Sequence, residues 1–292
     1  MKGLFPRLPD RANKGDMGRL LVVCGSYDAC GSSMCGAAYF SASAAYLTGA
    51  GIVEIFTPRE NYTALATLVP EAVFSLYGYD EDSEAVCKRL SEAISRSDAV
   101  VIGCGLGKHQ TSRTLVKRTL SEIDRPLLID ADGLNIISED EALWTLLDQK
   151  QRKQVLITPH PGEMSRLCGK SIQQILSDTS DTAKDFAKKY GTVCLLKDHR
   201  TAISDGEIVI LNQSGNAGMA SAGMGDLLAG IIGALMARED DVFECAKAGA
   251  YLHGLAGDLA AEKIGEYSVT ASAVLSEIPA AVREIIGNNT QN

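Results

Sequence analysis

The chain has 292 residues, of which 46% are hydrophobic and 22% charged, and its formal net charge is −9. The length fits one large α/β domain, and the acidic balance argues against nucleic acid or an anionic membrane as a partner, since both need a basic face. The amino-terminal residues contain no apolar signal core, and no apolar stretch is long enough for a membrane span. The eight cysteines lack metal-binding spacing, which indicates buried free thiols in a reducing cytoplasm.

Strand and helix patterns alternate through the first two thirds of the chain. Continuous apolar runs of strand length lie at 19–25, 51–57, 98–103, 126–130, 154–158 and 192–196. Helical patterns lie at 37–48, 82–95, 110–122, 139–147 and 171–189. Such alternation predicts a doubly wound, mainly parallel sheet that is covered on both faces.

The pattern changes after residue 196. Asp205 and Gly206 lie between two short strand-like runs and predict a hairpin. A glycine-rich loop follows, and then three helical patterns at 226–237, 242–261 and 271–286, before a tail at 287–292 that we expect to be frayed. His253 lies between apolar helix residues and is interpreted as a satisfied core or interface histidine. No linker or repeat divides the chain, so we expect one domain over residues 1–292.

The strongest chemical signal is the run 215–226, which is rich in glycine and other small residues and precedes a mostly apolar helix. Small residues let the backbone approach a ligand closely, and the N-terminus of the following helix supplies unpaired N–H groups for a phosphate. Asp226 in the first turn would then accept a proton from a substrate hydroxyl. A lone acid at this position is common at helix starts. The density of small residues favours the functional interpretation.

Three further loops follow predicted strands, at 103–107, 130–135 and 158–163. Each has a plain alternative, namely frequent strand-end glycines, an Asx-type turn and a Pro-rich turn, respectively. In a doubly wound sheet, however, the carboxyl ends of the strands open on one crevice. We therefore expect all four loops to converge there, where the two carboxylates and the amide in 130–135 would hold magnesium-bound phosphates.

Together these motifs resemble the NAD(P)H-hydrate dehydratase family, a carbohydrate-kinase-related group. The matching pieces are 13–15 with 18–19, 25–26, 35–38, 48–51, 105–107, 130–135, 158–163 and 215–226, in the family's order. The resemblance implies a ribokinase-like three-layer α/β/α fold with a mainly parallel central sheet. The chain departs from the family's usual residues at Ala217, at Met224 (usually threonine) and in the loop 197–201, where charged residues replace glycines.

The resemblance also implies an activity. The family dehydrates hydrated NADH or NADPH with ADP or ATP, giving AMP or ADP and phosphate, so the chain would be a hydro-lyase. The hydroxyl on the nicotinamide ring would be phosphorylated as in a kinase, and phosphate would then leave. Mg²⁺ is expected with the nucleotide. A homo-oligomer, specifically a tetramer, and a separately encoded NAD(P)H-hydrate epimerase are the expected partners.

Site residues follow from the same resemblance. The catalytic base would be Asp226, and the hydrate would be bound by Ala37, Gly105, Gly107, His160 and Asp226. The nucleotide would be bound by Lys197, Asp198, His199, Arg200, Thr201, Gly223 and Gly225. Asp130, Asn135, Glu163 and Asn216 are expected to support the site, and no residue is assigned as a metal ligand.

Two other functions remain open on the sequence. A small-molecule kinase of the same fold, of the vitamin-precursor type, would use Asp226 and the anion hole equally well, although the loops at 105–107 and 158–163 favour the dehydratase. A non-catalytic nucleotide-binding protein is suggested by Met224 and the altered loop at 197–201, but a pure binder needs no base at Asp226. A dehydrogenase fits poorly, since 103–107 lacks the third glycine of the dinucleotide motif.

Overall fold

The computed structural model describes Phe5, residues 10–28, residues 30–147, Arg152 and residues 154–290. The strands of this part of the chain are β1 (Arg19–Val23), β2 (Ile52–Pro58), β3 (Val73–Tyr77), β4 (Ala99–Ile102), β5 (Leu127–Ile129), β6 (Val155–Ile157), β7 (Val193–Leu196), β8 (Ala202–Ser204) and β9 (Val209–Leu211). The α-helices are α1 (Cys35–Leu47), α2 (Tyr62–Leu68), α3 (Ser83–Ser95), α4 (Gln110–Glu122), α5 (Ala131–Glu139), α6 (Pro161–Cys168), α7 (Ile172–Ser177), α8 (Thr179–Tyr190), α9 (Met224–Met236), α10 (Val242–Ile264) and α11 (Ala271–Thr290).

The strands form one sheet in the order β3-β2-β1-β4-β5-β6-β7-β8-β9. Every neighbouring pair from β3 to β7 is parallel, and β8 and β9 add an antiparallel hairpin at one edge. Successive side chains of a strand point to opposite faces. Leu21 and Val23 accordingly pack in one core with residues of α3, α4 and α8, whereas Leu20 and Val22 pack in another with residues of α1, α9 and α10. The predicted three-layer α/β/α fold with a mainly parallel sheet is confirmed.

All six predicted strands and the predicted hairpin are present, and the structure adds β3. This strand lies at the sheet edge, where Val73 is 43% exposed and Ser75 Oγ donates a hydrogen bond to Glu54 Oε1 at 2.6 Å. An edge strand needs apolar residues on fewer positions, so it lacks the continuous run that marks the central strands. The sequence pattern was therefore too weak to predict it.

Three helix predictions need correction. The single helix predicted at 171–189 is two helices, because Asp178 interrupts the first and caps α8 by accepting a hydrogen bond from Asp181 N at 2.9 Å. The segment predicted as a helix at 139–147 is a 3₁₀ turn at Glu141–Leu146, and α5 lies just before it. The last helix continues to Thr290, whereas residues 291 and 292 lie outside the described part of the chain.

The eight cysteines are free thiols, and Cys24, Cys87, Cys104, Cys194 and Cys245 are buried. Cys30 is exposed, which corrects the expectation of burial for that position. In the part of the chain that the structure describes, none of the helices combines the length and the apolar character that crossing a bilayer requires.

Close packing of α9 against α1 sets the position of the glycine-rich segment. A Cβ atom on Gly230 would lie 2.1 Å from the carbonyl oxygen of Ser41, so only glycine permits this approach. The Ser41 hydroxyl donates a hydrogen bond to the carbonyl oxygen of Asp226 at 3.1 Å. The first turn of α9, with Asp226, is thereby held against α1.

Candidate active site

Loops that follow four different strands meet beside the first turn of α9. Lys197, after β7, places its Nζ 2.8 Å from Oδ1 of Asp130, after β5, and 3.9 Å from Oε2 of Glu163, at the start of α6. Cys104, after β4, directs its thiol to Oδ2 of Asp130 at 3.8 Å. A Cβ atom on Gly225 would lie 3.4 Å from the same Oδ2. The expected convergence of the four loops is present.

Asp226 has an unusual electrostatic environment. Burial, and then the nearby Asp130 carboxylate, raise the pKa of Asp226 to about 6, although Cys104 and Lys197 partly offset these effects. Both effects disfavour the ionised form, because the charge leaves water and meets a like charge. A carboxylate with such a pKa is basic enough to accept a proton and is still ionised near neutral pH. Strongly perturbed carboxyl groups of this kind are concentrated at functional sites.

Lys197 is the cation at the centre of the cluster. Burial lowers the pKa of Lys197, but the Asp130 and Glu163 carboxylates outweigh it and hold the pKa above its ordinary value. The side chains of Asp130 and Glu163 are only 2% and 6% exposed. Buried charges of this kind need a partner, because each has lost its hydration. Lys197 therefore stays charged and lies within reach of a further anion.

The N-terminus of α9 provides an anion site next to this cluster. Gly223 is the N-cap residue and adopts a left-handed conformation with φ of 90°. None of the described side chains caps this end of the helix, which leaves first-turn N–H groups for a ligand. A Cβ atom on Gly223 would lie 2.8 Å from Cβ of Ala271, so the segment accommodates no side chain there. Met224, in place of the family's threonine, is 7% exposed and packs into the core.

A cleft of about 780 Å³ opens beside these groups. Its walls include His160, Lys197, Asp198, His199, Thr201, Asn212, Ser214, Asn216, Met224, Gly225, Leu228, Ala250 and His253. Pockets for small molecules and cofactors have volumes of roughly 300 to 1,000 Å³. Arg200 and Gly223 are not among the wall residues, whereas the other predicted nucleotide residues are. The other five predicted nucleotide residues thus line one cleft, whereas Arg200 is exposed and Gly223 lies at the N-cap of α9.

His160 is held in a defined orientation at the start of α6. Its Nδ1 accepts hydrogen bonds from the backbone N–H groups of Gly162 at 3.0 Å and Glu163 at 3.3 Å, and Glu163 Oε2 accepts one from His160 N at 2.9 Å. Because Nδ1 accepts hydrogen bonds, the proton of the neutral ring is on Nε2. Burial, and then the Lys197 and Arg166 cations, lower the pKa of His160. The neutral ring thus carries its N–H on Nε2, which lies 3.4 Å from Glu163 Oε1, and His160 is a wall residue of the cleft.

Gly105 and Gly107 lie on the turn that follows β4, and Ala37, in the first turn of α1, packs against Gly105. A Cβ atom on Gly105, whose φ is 59°, would lie 2.7 Å from Cβ of Ala37, so this position accommodates no side chain. The backbone N–H of Gly107 donates a hydrogen bond to Asp132 Oδ2 at 2.8 Å. These residues are not among the walls of the cleft. Gly105 follows Cys104, whose thiol contacts Asp130 of the acidic cluster that Asp130 and Glu163 form around Lys197.

The supporting residues divide into two groups. Asp130 and Glu163 belong to the cluster around Lys197, but Asn135 is used elsewhere, since its Oδ1 accepts a hydrogen bond from Arg166 Nε at 2.9 Å. Asn216 lies in the cleft wall and donates from Nδ2 to Asp258 Oδ1 at 2.9 Å. Asp258 Oδ2 also accepts from the backbone N–H of Gly215 at 2.9 Å. Asp258 on α10 therefore holds the glycine-rich loop in place.

The sequence did not predict several residues that line the cleft or hold its walls in place. Asn212 and Ser214 follow β9, and their polar character at a strand end was an available signal. The sequence contains no such signal for Asp258, because this residue is on a helix 42 residues from Asn216. The interpretation of His253 as a satisfied histidine was wrong: its Nε2 atom is shielded from solvent and has no hydrogen-bond partner in the described residues.

The residues that the structure describes do not form a complete cation site by themselves. Asp130 Oδ1 is bound to Lys197, and Asp132 Oδ2 accepts the hydrogen bond from Gly107. Within the described ranges, no three or more His, Cys, Asp or Glu side chains are grouped so that they would hold a metal ion. A divalent cation bound here would therefore need ligands from a substrate in addition to protein carboxylates.

The sequence profile described as NAD(P)H-hydrate dehydratase matches residues 20–280 of the chain. The chain belongs to this family. The match extends from β1 into α11, so it includes the acidic cluster, the first turn of α9 and the cleft. It confirms the family resemblance inferred from the sequence motifs.

Related proteins agree with this assignment. The ADP-dependent (S)-NAD(P)H-hydrate dehydratase of Neisseria meningitidis is 35% identical over 96% of this chain and 88% of its own. The chain spans about half the length of the bifunctional NAD(P)H-hydrate repair enzymes that it also matches.

Two solved structures have the same fold. A ribokinase-like superfamily protein from Enterococcus faecalis superposes with a TM-score of 0.82 at 28% identity, covering 97% of this chain and 94% of that one. The ADP/ATP-dependent NAD(P)H-hydrate dehydratase from Bacillus subtilis, co-crystallized with ATP/Mg²⁺, gives a TM-score of 0.80 at 25% identity, with coverages of 97% and 95%. The ribokinase-like fold predicted for the chain is thereby confirmed.

Proposed function

We propose that this chain is a hydro-lyase that dehydrates hydrated NADH or NADPH at the expense of ADP or ATP. The observation that carries the proposal is the placement of Asp226. This carboxyl group has a pKa of about 6, lies in the first turn of a helix whose N-terminus is open, and directly follows Gly225, a wall residue of the cleft of about 780 Å³. A base beside an anion site and a nucleotide-sized cleft fits phosphoryl transfer to a hydroxyl group.

The proposed reaction has two steps. Asp226 takes the proton of the ring hydroxyl, whose oxygen attacks the terminal phosphorus of the nucleotide as the bond to the leaving AMP or ADP oxygen breaks. The phosphate then leaves with both electrons of the carbon–oxygen bond, assisted by the lone pair of the ring nitrogen. The adjacent ring carbon loses a proton to the departing phosphate or to solvent, and the electrons of that C–H bond form the double bond of the neutral dihydropyridine. No net redox change occurs. Phosphate replaces hydroxide as the leaving group, which lowers the barrier to elimination.

Electrostatic stabilisation is assigned to groups around Asp226. The transferred phosphoryl group carries negative charge, and the carboxylates of Asp130 and Glu163 would repel it. The free N–H groups at the start of α9, the close backbone approach at Gly223 and Gly225, and the Lys197 cation compensate this repulsion. Ala37, Gly105, Gly107 and His160 are proposed to bind the hydrate. The loop from Lys197 to Thr201 is proposed to bind the nucleotide.

Several finer features are part of the proposal. Mg²⁺ is expected to arrive bound to the nucleotide phosphates, as the ATP/Mg²⁺ complex of the Bacillus subtilis relative supports. We propose a cytoplasmic homo-oligomer, specifically a homotetramer, in which each subunit is a single domain. A separate NAD(P)H-hydrate epimerase is the proposed functional partner, and the bifunctional names of several relatives support that pairing.

A coupled assay tests the function directly. The purified chain is mixed with hydrated NADH, Mg²⁺ and either ADP or ATP, and the near-ultraviolet absorbance of reduced nicotinamide is followed. Recovery that depends on the nucleotide is the expected result, and it also identifies the phosphoryl donor. Absence of recovery with both nucleotides, in a chain shown to be folded, would redirect the assignment to a small-molecule kinase or to a non-catalytic nucleotide binder.

The pH dependence of the reaction should reflect Asp226. A general base works only when deprotonated, so kcat/KM for hydrated NADH is expected to fall about tenfold per pH unit below the pKa of about 6. Above that pH, kcat/KM should be independent of pH. The measurement is kcat/KM from pH 5 to 8 with saturating nucleotide and a subtracted enzyme-free control. An acidic limb centred near the ordinary pKa of an aspartate would contradict the assignment of Asp226.

His160→Ala is expected to raise KM for the hydrate about tenfold and KM for the nucleotide much less, because one hydrogen-bond donor is lost. Since His160 also caps α6, His160→Asn serves as the control that keeps a cap acceptor. His199→Ala, from the predicted nucleotide loop, should give the opposite pattern. Equal weakening of both substrates by His160→Ala would rule out a hydrate-specific role.

A further inference from the structure

His253 on α10 is a polar group in the cleft that the reaction described above does not use. It lines the cleft, and its Nε2 atom is shielded from solvent with no hydrogen-bond partner among the described residues. A buried polar atom without a partner costs about 1 to 3 kcal/mol. Native proteins leave few such atoms, and those that persist call for an explanation such as a ligand that supplies the missing bond.

The surroundings of His253 leave space for a ligand. Ala250 and Gly254 lie on the same face of α10, and Leu228 of α9 is another wall residue of the cleft. A Cβ atom on Gly254 would lie 2.2 Å from Ser214 Oγ, so the loop after β9 packs tightly against α10 at this point. The imidazole is thus a polar group beside small and apolar residues. That composition suits the nucleoside portion of a nucleotide better than its phosphates.

The charge state of the ring supports the same assignment. Burial, and then the Lys197 cation, lower the pKa of His253 to about 4, so the ring is neutral at physiological pH. A neutral imidazole has one N–H donor and one acceptor nitrogen, which match a hydroxyl group or an uncharged base. Nε2 forms no hydrogen bond within the described residues that would fix the ring, and the χ2 torsion of histidine has a broad energy profile. A bound ligand can therefore turn a ring nitrogen toward itself.

We propose that His253 is a specificity-determining residue of the nucleotide site and forms a hydrogen bond with an uncharged group of the nucleoside, either a ribose hydroxyl or a base nitrogen. The inference rests on the proposed function only in taking the cleft as the nucleotide site. It predicts that His253 contributes to nucleotide affinity and not to hydrate binding. It also predicts that the orphaned nitrogen gains its partner when the nucleotide binds.

His253→Leu and His253→Gln test the proposal in the full chain. By calorimetry, the leucine variant is expected to bind ADP and ATP about tenfold more weakly, and the glutamine variant to recover part of that loss. Without nucleotide, His253→Leu should unfold at the same temperature as the parent or higher, because an unsatisfied polar atom has been removed. KM for hydrated NADH should be unchanged. Parental nucleotide affinity in His253→Leu would overturn the proposal, as would a lower unfolding temperature with equal loss of both substrates.

Nucleotide analogues identify the group that His253 contacts. The 2′-deoxy, 3′-deoxy, inosine, 3-deaza and 7-deaza forms of the diphosphate are compared in the parent and in His253→Leu, as in a double-mutant cycle. The analogue that lacks the partner should bind the two proteins equally. If every analogue still distinguishes them by the full factor, no nucleoside group is the partner and the proposal fails.

Binding is measured without turnover, so this inference is separable from the proposed activity. A chain that binds nucleotide through His253 but never restores NADH would refute the dehydratase and support the inference. An active dehydratase whose nucleotide affinity is unchanged by His253→Leu would support the proposed activity and refute this inference. A parent chain that binds neither ADP nor ATP would refute both.

Discussion

Asp226→Asn is expected to lower turnover by about 10² to 10⁴-fold, the usual contribution of a positioned general base. The amide has nearly the same shape as the carboxyl group but accepts no proton from the ring hydroxyl. The first turn of α9 should keep its position, because the bond from Ser41 Oγ goes to the backbone carbonyl of Asp226 and not to its side chain. Single-turnover kinetics with hydrated NADH measure the loss, and calorimetry measures nucleotide affinity, which should be equal to or better than that of the parent.

The same variant is expected to be more stable than the parent at pH 7. The pKa of Asp226 is about 6 in the folded chain and lower in the unfolded chain, so ionisation between those values favours unfolding. The fold therefore loses stability as the pH rises through this interval, and at pH 7 the whole penalty is present. Removing the charge should raise the free energy of unfolding by about 1 to 3 kcal/mol, since one pKa unit corresponds to about 1.36 kcal/mol.

Urea unfolding at pH 7 and at pH 4 checks this expectation, because the difference between variant and parent should shrink at the lower pH. Loss of activity together with increased stability separates a missing base from a damaged fold. Turnover at the parental rate would show that another group takes the proton. A less stable variant would mean that the Asp226 carboxylate is well paired in the folded chain.

The sequence predicted the site best where its signal is local. The run 215–226 combines small residues with a buried helix, and these properties can be recognised without knowing the fold. The convergence of the four loops was also predictable, because parallel strands carry their following loops to one sheet edge. In this way a pattern of strands and helices was sufficient to bring Asp130 and Glu163 near Asp226, whereas Lys197 was assigned to the site only through the family resemblance.

The pairwise contacts within the site could not be predicted in the same way. Lys197 and Asp130 are 67 residues apart, and their ion pair depends on β5 and β7 flanking β6 in the sheet. Asp258 holds Gly215 across 43 residues through the packing of α10 against the loop. His253 shows the opposite error. Because it lies between apolar helix residues, it was interpreted as a histidine whose hydrogen bonds are satisfied. Whether a buried polar atom has a partner is a property of tertiary packing and not of its neighbours in sequence.

Lys197→Met is expected to destabilise the fold by about 3 to 5 kcal/mol, the usual cost of removing one partner from a buried ion pair. Methionine retains the unbranched shape of the side chain but leaves the nearly buried carboxylates of Asp130 and Glu163 without their cation. Nucleotide affinity should fall as well, because the phosphates lose an opposing charge. Urea unfolding and calorimetry with ADP and ATP measure the two effects separately.

The double variant Lys197→Met with Asp130→Asn shows which effect is due to the unpaired charge. Removing the carboxylate should restore a large part of the lost stability, since the uncompensated buried charge is the main cost. It should not restore nucleotide affinity if Lys197 contacts the phosphates directly. It should also lower the pKa of Asp226, because the Asp130 carboxylate is one of the groups that raise it. Recovery of both stability and nucleotide affinity would mean that Lys197 only neutralises Asp130. Failure to recover stability would show that the ion pair with Asp130 is not the source of the stability that Lys197 provides.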